Sequence, residues 1–95
     1  MSISLREDFL SLSMRCIVTG GAGFLGSYLT EQLVMMGHSV VVIDDMFRGK
    51  KKNLDGCTGM DGYHLVMGDA AVRANYEKAA DKLGGVDCVY HLAAI

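Results

Sequence analysis

Apolar residues fall into short runs that change period along the chain. Arg15 to Thr19 encloses Cys16-Ile17-Val18, a strand by its length and β-branching. From Phe24 to Met36 the period lengthens. Leu25, Leu29, Leu33 and Met36 recur at helical spacing, which predicts a helix with that face inward, and Gly37 is its stop signal. Ser39 to Ile43 carries three valines and an isoleucine without interruption, the pattern of a strand covered on both faces. Met46 to Gly62 is rich in turn residues and reads as a loop. Tyr63 to Met67 is a third strand, ending at Gly68-Asp69. Ala70 to Leu83 is a second helix with Val72, Tyr76, Ala79, Ala80 and Leu83 on one face. Gly84-Gly85 stops it, and Val86 to Leu92 is a fourth strand.

Strand–helix–strand, loop, strand–helix–strand predicts an α/β fold. It is the N-terminal half of a Rossmann-type doubly wound sheet, all parallel, in the order 3-2-1-4 with right-handed crossovers. The turn between the first strand and the first helix is Thr19-Gly20-Gly21-Ala22-Gly23-Phe24-Leu25-Gly26. Read from Gly21 it fits G-x-G-x-x-G, and from Gly20 it fits G-x-x-G-x-x-G. Glycine allows a tight turn, leaves room for a phosphate, and lets the helix lie close to the strand. The helix N-terminus then offers free N–H groups and the positive end of its dipole. A glycine-rich triplet alone is also compatible with a structural turn. Here the strand before it, the helix after it, and Asp44 about 20 residues on favour a dinucleotide pyrophosphate.

A carboxylate at the end of the second strand accepts hydrogen bonds from the adenosine ribose and repels a 2′-phosphate, so Asp44 favours NAD over NADP. A simple cap is the other use for Asp44 or Asp45. Arg48-Gly49-Lys50-Lys51-Lys52 is a solvated basic loop or, read more sharply, a 2′-phosphate clamp, which Asp44 opposes. It lacks the glycine spacing of a Walker loop.

With 95 residues, 51% of them hydrophobic, and a formal net charge of −2, the chain is one small domain. The charge balance gives no push toward nucleic acid or an anionic membrane, and no apolar run approaches the ~20 residues of a spanning helix. Cys16, Cys57 and Cys88 are too few and too widely spaced for a disulfide framework or a zinc site. With Cys16 and Cys88 in strands expected to be buried, a reduced, cytoplasmic setting is the simplest expectation. His38 is expected as a solvated turn residue. Residues 1–13 read as an N-terminal extension ahead of Met14-Arg15, and residues 14–95 as the domain.

Four segments together resemble the extended short-chain dehydrogenase/reductase family, the NAD-dependent sugar-nucleotide epimerases and dehydratases. They are Val18 to Ser27, Val42-Ile43-Asp44-Asp45, Gly68-Asp69 and His91-Leu92-Ala93-Ala94, in family order. The resemblance implies that Gly20, Gly23, Phe24, Leu25 and Gly26 surround the pyrophosphate and that Asp44 holds the ribose. It implies that Asp45 and Met46 flank the adenine end, that Asp69 and Ala70 meet the adenine, and that Leu92, Ala93 and Ala94 wall the nicotinamide-side ribose. Asp45, Ala70, Tyr28 and Arg73 depart from the usual asparagine, branched aliphatic, histidine and acid; none removes a pyrophosphate contact, and Asp45 and Ala70 alter the adenine end.

The family's catalytic pair is a tyrosine with a lysine four positions later. Here Tyr28, Tyr63, Tyr76 and Tyr90 are followed at that spacing by Gln32, Met67, Ala80 and Ala94. The resemblance therefore implies the cofactor portion of a larger enzyme, catalytically incomplete as it stands, with 4-epimerization as the favoured outcome. A sugar nucleotide, and a homodimer, belong to the longer form. A non-catalytic dinucleotide-binding module or a non-functional fragment is the alternative.

Overall fold

The structure, a computed structural model, describes residues 13–47 and 49–93. Residues 1–12, which hold most of the expected extension, lie outside the described residues, as do Arg48, Ala94 and Ile95. The elements are β1 (Arg15–Thr19), α1 (Phe24–Met35), β2 (Ser39–Asp44), a 3-10 turn (Lys51–Leu54), β3 (Tyr63–Met67), α2 (Arg73–Leu83) and β4 (Cys88–His91). The strands form a four-stranded sheet in the order β3-β2-β1-β4, with each neighbouring pair parallel. This is the expected Rossmann-type α/β topology.

The sheet buries both faces because side chains alternate along a strand. Cys16, Val18, Val40 and Val42 point to one side and join Leu33 and Val34 of α1 and Leu54 of the 3-10 turn. Ile17, Val41, Ile43 and Val66 point to the other and meet Ala79 of α2, with Tyr76 and Leu83 packed beside them. Val40 to Ile43 are fully buried, as the unbroken apolar run of β2 requires. Among the described residues no helix is long and apolar enough to cross a membrane.

The inward face of α1 differs from the expected one, and that of α2 matches it except at Val72. In α1, Leu33 is buried and Leu29 is half-buried, but Leu25 is 69% exposed and Met36 is exposed too. The buried stripe is Gly26, Ser27, Thr30, Leu33 and Val34. A turn this short holds the start of α1 against the ends of the strands, and only small side chains fit there. Thr30 satisfies its buried hydroxyl by donating to the Gly26 carbonyl at 2.7 Å.

Helix α2 begins at Arg73 rather than Ala70. The Asp69 carboxylate accepts the Ala71 N–H at 2.8 Å, and the Asp69 carbonyl accepts the Val72 N–H, making a turn ahead of the helix. Val72 is exposed, and Asn75 takes the buried place expected for it. Gly84 ends α2 in the left-handed region at φ 74°, where glycine is unstrained. The edge position of β4 leaves Cys88 half-buried instead of buried.

Arg15 and Asp87 lock the outer strand to the centre of the sheet. Arg15 Nε and Nη2 donate to the two carboxylate oxygens, each at 3.1 Å, and the Arg15 N–H donates to Oδ2 at 2.8 Å. Arg15 Nη1 also reaches the Gly84 carbonyl at 2.9 Å. His38 is tied to the residue ahead of β1, its Nδ1 accepting the Met14 N–H at 2.9 Å.

Hydrogen bonds from the Arg15 side chain and backbone hold the Asp87 carboxyl below its ordinary value of 3.8. A depressed carboxylate adds stability that is fully present above that ordinary value and is lost as pH falls through the folded one. Asp87→Asn should therefore lower the urea midpoint at neutral pH, and the gap to the parent should close as pH is stepped toward about 2. A gap independent of pH would contradict this account of the pair.

Candidate functional site

A cavity of about 440 Å³ opens where the strands end at their carboxyl side. Its walls come from the turn after β1 (Gly20, Gly23), the start of α1 (Phe24, Leu25, Gly26) and the end of β2 (Ile43, Asp44, Asp45). Phe47 and Gly49, the corner after β3 (Asp69, Ala70, Ala71), and the end of β4 (His91, Leu92, Ala93) complete them. The connections after β1 and β2 build one half of the sheet, and β4 returns to the other side of β1. The cavity therefore lies at the switch point of the topology, where open α/β sheets take ligands.

The glycines divide by what a Cβ would meet. At Gly20, φ is 72° and a Cβ would lie 2.8 Å from the Ala93 nitrogen. At Gly21 it would strike the Val42 methyls at 2.6 Å. At Gly26 it would press into the Gly20 carbonyl and the Gly21 Cα, so this residue sets how closely α1 approaches the turn. Gly23 is different. Its φ of −74° and ψ of 175° suit any residue, and a Cβ would meet only the Gly20 oxygen at 3.4 Å. Neither backbone nor packing requires glycine at 23, and the space it leaves open belongs to the cavity. Gly23 is also the N-cap of α1 and brings no side-chain cap, and no acid lies in the first turn. The first N–H groups of α1 keep their hydrogen-bonding capacity and the positive dipole end at the cavity wall.

Asp44 is 7% exposed, and both of its oxygens are engaged. Oδ2 accepts the Ala22 N–H at 2.9 Å, and Oδ1 accepts the Met46 N–H at 2.7 Å. The carboxylate thus ties the glycine turn to the loop after β2, and its remaining lone pairs stay available to a hydroxyl. Met46 stands at φ 65°, uncommon for a residue with a side chain, and its bond to Asp44 holds it there. Its side chain packs into the core cluster and is absent from the cavity wall, so among the sequence-predicted site residues it contributes through its backbone. Asp45 caps the same loop, Oδ1 accepting the Phe47 N–H at 2.9 Å. Ala94 lies outside the described residues. The other predicted residues all line the cavity.

Four polar side chains that the sequence reading did not place at the site hold these walls. The buried Thr19 hydroxyl oxygen accepts the Leu92 and Ala93 N–H groups at 3.1 and 3.3 Å and lies 2.9 Å from His91 Nδ1. Asn75 Nδ2 donates to the Asp69 carbonyl at 2.8 Å, and the Tyr76 hydroxyl donates to the Ala70 carbonyl at 2.6 Å. Asn53 Nδ2 donates to the Ala22 carbonyl at 2.9 Å, and the Lys50 N–H joins the same oxygen. Helical spacing marked Tyr76 only as an apolar contact, and no local signal marks Asn75 or Asn53.

The charged side chains on the described walls are Asp44, Asp45 and Asp69, and no lysine of the 50–52 run lines the cavity. Among the described residues no cluster of histidine, cysteine or acids could hold a metal.

Known proteins share this sequence and geometry. The chain is 48% identical over 84 residues to UDP-N-acetyl-alpha-D-glucosaminuronate decarboxylase of Bacillus cytotoxicus, covering 88% of this chain and 25% of the relative. It is 40% identical over 80 residues to UDP-glucuronic acid decarboxylase 1 of Danio rerio, covering 84% and 17%. The crystal structure of the Bordetella bronchiseptica enzyme WbmG in complex with NAD and UDP superposes with a TM-score of 0.75 at 35% identity, over 87% of this chain and 26% of that one. The chain spans a quarter or less of the length of these curated relatives. A sequence model of the NAD dependent epimerase/dehydratase family matches residues 16–95, most of the chain, and the chain belongs to that family.

Proposed function

We propose that residues 14–95 are the NAD-binding portion of an enzyme that remodels the sugar of a sugar nucleotide, and that NAD lies in the cavity at the strand ends. The observation that carries this is Gly23, a glycine that the fold does not need, placed where its missing side chain opens the cavity toward the start of α1. The residues present fit the cofactor. The N–H groups of Phe24 and Leu25, at the start of α1 on the cavity wall, are offered to the pyrophosphate, and Gly20 and Gly26 bring backbone close to it. Asp44 has lone pairs left for the ribose hydroxyls, and three carboxylates without a lysine among the described walls disfavour a 2′-phosphate. Asp45, Asp69 and Ala70 border the adenine position. Leu92 and Ala93, with Ala94 next in sequence, form the wall on the nicotinamide side.

NAD, when bound, supplies a hydride acceptor for a sugar carbon and can return the hydride. This chain's residues bind and orient it. The proton-transferring tyrosine–lysine pair is to be sought in a longer polypeptide, and the sugar nucleotide is that form's substrate. The bacterial and zebrafish relatives are decarboxylases, so the 4-epimerase outcome expected from the motifs gains no preference over decarboxylation or dehydration. Three widely spaced cysteines that form no disulfide framework in the sequence support a cytoplasmic setting.

Titration calorimetry of the chain with NAD and NADP tests the reading. NAD should bind at least about tenfold more tightly, about 1.4 kcal/mol. Equal affinity, or no binding by a folded chain, would refute it. Two glycine substitutions separate ligand space from packing. Gly23→Ala should cost about 1 kcal/mol of stability or less and weaken NAD by about tenfold or more. Gly26→Ala should lower the unfolding midpoint, costing about 1–3 kcal/mol, because backbone atoms must move. The reverse order of stability losses would contradict the assignment.

A further inference from the structure

Cys16 and Cys88 stand far apart in sequence but are direct partners in the register between β1 and β4. Adjacent strands lie about 4.8 Å apart, inside the Cα separation of roughly 4.4–6.8 Å that disulfides span. The two side chains project from the same face of the sheet, and their sulfurs are 3.1 Å apart, with Cys88 Sγ donating to Cys16 Sγ. A disulfide brings sulfurs to about 2.05 Å, so the pair must close by about 1 Å. The third thiol, Cys57, is buried in the loop after the 3-10 turn and belongs to neither strand.

We propose that Cys16 and Cys88 form a dithiol modification site that oxidants of the hydroperoxide class convert to a cross-strand disulfide. The two sulfurs have different parts in the reaction. Cys16 is 1% exposed, and burial, followed by its contact with Cys88, pushes its thiol up to about 12. Cys88 is half-buried, more accessible than Cys16, and is the sulfur that an oxidant reaches. Its sulfur attacks one peroxide oxygen. An S–O bond forms, the O–O bond breaks, and the departing hydroxide leaves with the thiol proton as water. The Cys16 sulfur then attacks Cys88 Sγ. The S–S bond forms, the S–O bond breaks, and the second hydroxide leaves with the Cys16 proton as water. Two thiols give up two electrons and two protons, and one hydrogen peroxide becomes two waters, or one organic hydroperoxide an alcohol and a water. The link joins the strands that carry the glycine turn and the Leu92–Ala93 wall at their ends.

The test is oxidation of the intact chain with hydrogen peroxide in native buffer and, separately, in concentrated urea. Alkylation follows, then mapping of the linked peptides. In the native chain the Cys16–Cys88 link should dominate, with the mass lower by two hydrogens. In urea it should be the rarest of the three pairings, since it closes the longest loop. Cys88→Ser should abolish the native link, and circular dichroism of that variant reports whether it folds. Native oxidation that yields Cys57 links, or that carries Cys88 to sulfinic acid without a disulfide, would overturn the proposal. So would the same pattern of links in both buffers.

Discussion

The contact between the start of α1 and the glycine turn governs this structure. With no Cβ at Gly26, the helix backbone can rest on Gly20 and Gly21, and that contact fixes where its N-terminus points. The same closeness explains why the buried stripe of α1 is glycine, serine and threonine over its first half and larger aliphatics only at Leu33 and Val34. It explains too why Phe24 and Leu25 face outward at the mouth of the cavity. Packing and site are here one constraint, because a helix held farther away would neither cover the sheet nor present its N–H groups to the strand ends.

Around that contact the walls of the cavity are positioned by polar side chains acting on backbone. Thr19, Asp44, Asn53, Asn75 and Tyr76 each reach a loop amide or carbonyl that a strand or helix cannot satisfy. Buried backbone groups need partners, and loops at the strand ends have no ladder to supply them. The result is a set of loops fixed before any ligand arrives, which lowers the ordering cost of binding.

Much of this was legible from residue order. All four strands could be read from short β-branched runs bounded by turn residues, and strand order followed from connection rules. The glycine turn and Asp44 located the cavity because their chemistry is local. The face of α1 was misread, since periodicity of large apolar residues does not register a stripe of Gly26, Ser27 and Thr30. The start of α2 was placed early because the turn made by the Asp69 carboxylate looks like helix in composition. Asn75 and the meeting of Cys16 with Cys88 were hidden for one reason. Both depend on partners supplied by tertiary register, and no spacing rule along the chain carries that information.

The central place of β1 has a consequence for synthesis. Of the four strands β1 is made first, pairs on one side with β2, and completes its other side only with β4, as in the Cys16–Cys88 register. A nascent chain leaving the ribosome therefore carries β1 with one edge unpaired until nearly all of the described sheet has emerged. That edge is bordered by apolar side chains and can template pairing with a neighbouring chain. The strand that organises the finished fold is thus exposed longest while the fold is being made, and it is where chaperone protection during translation would matter most.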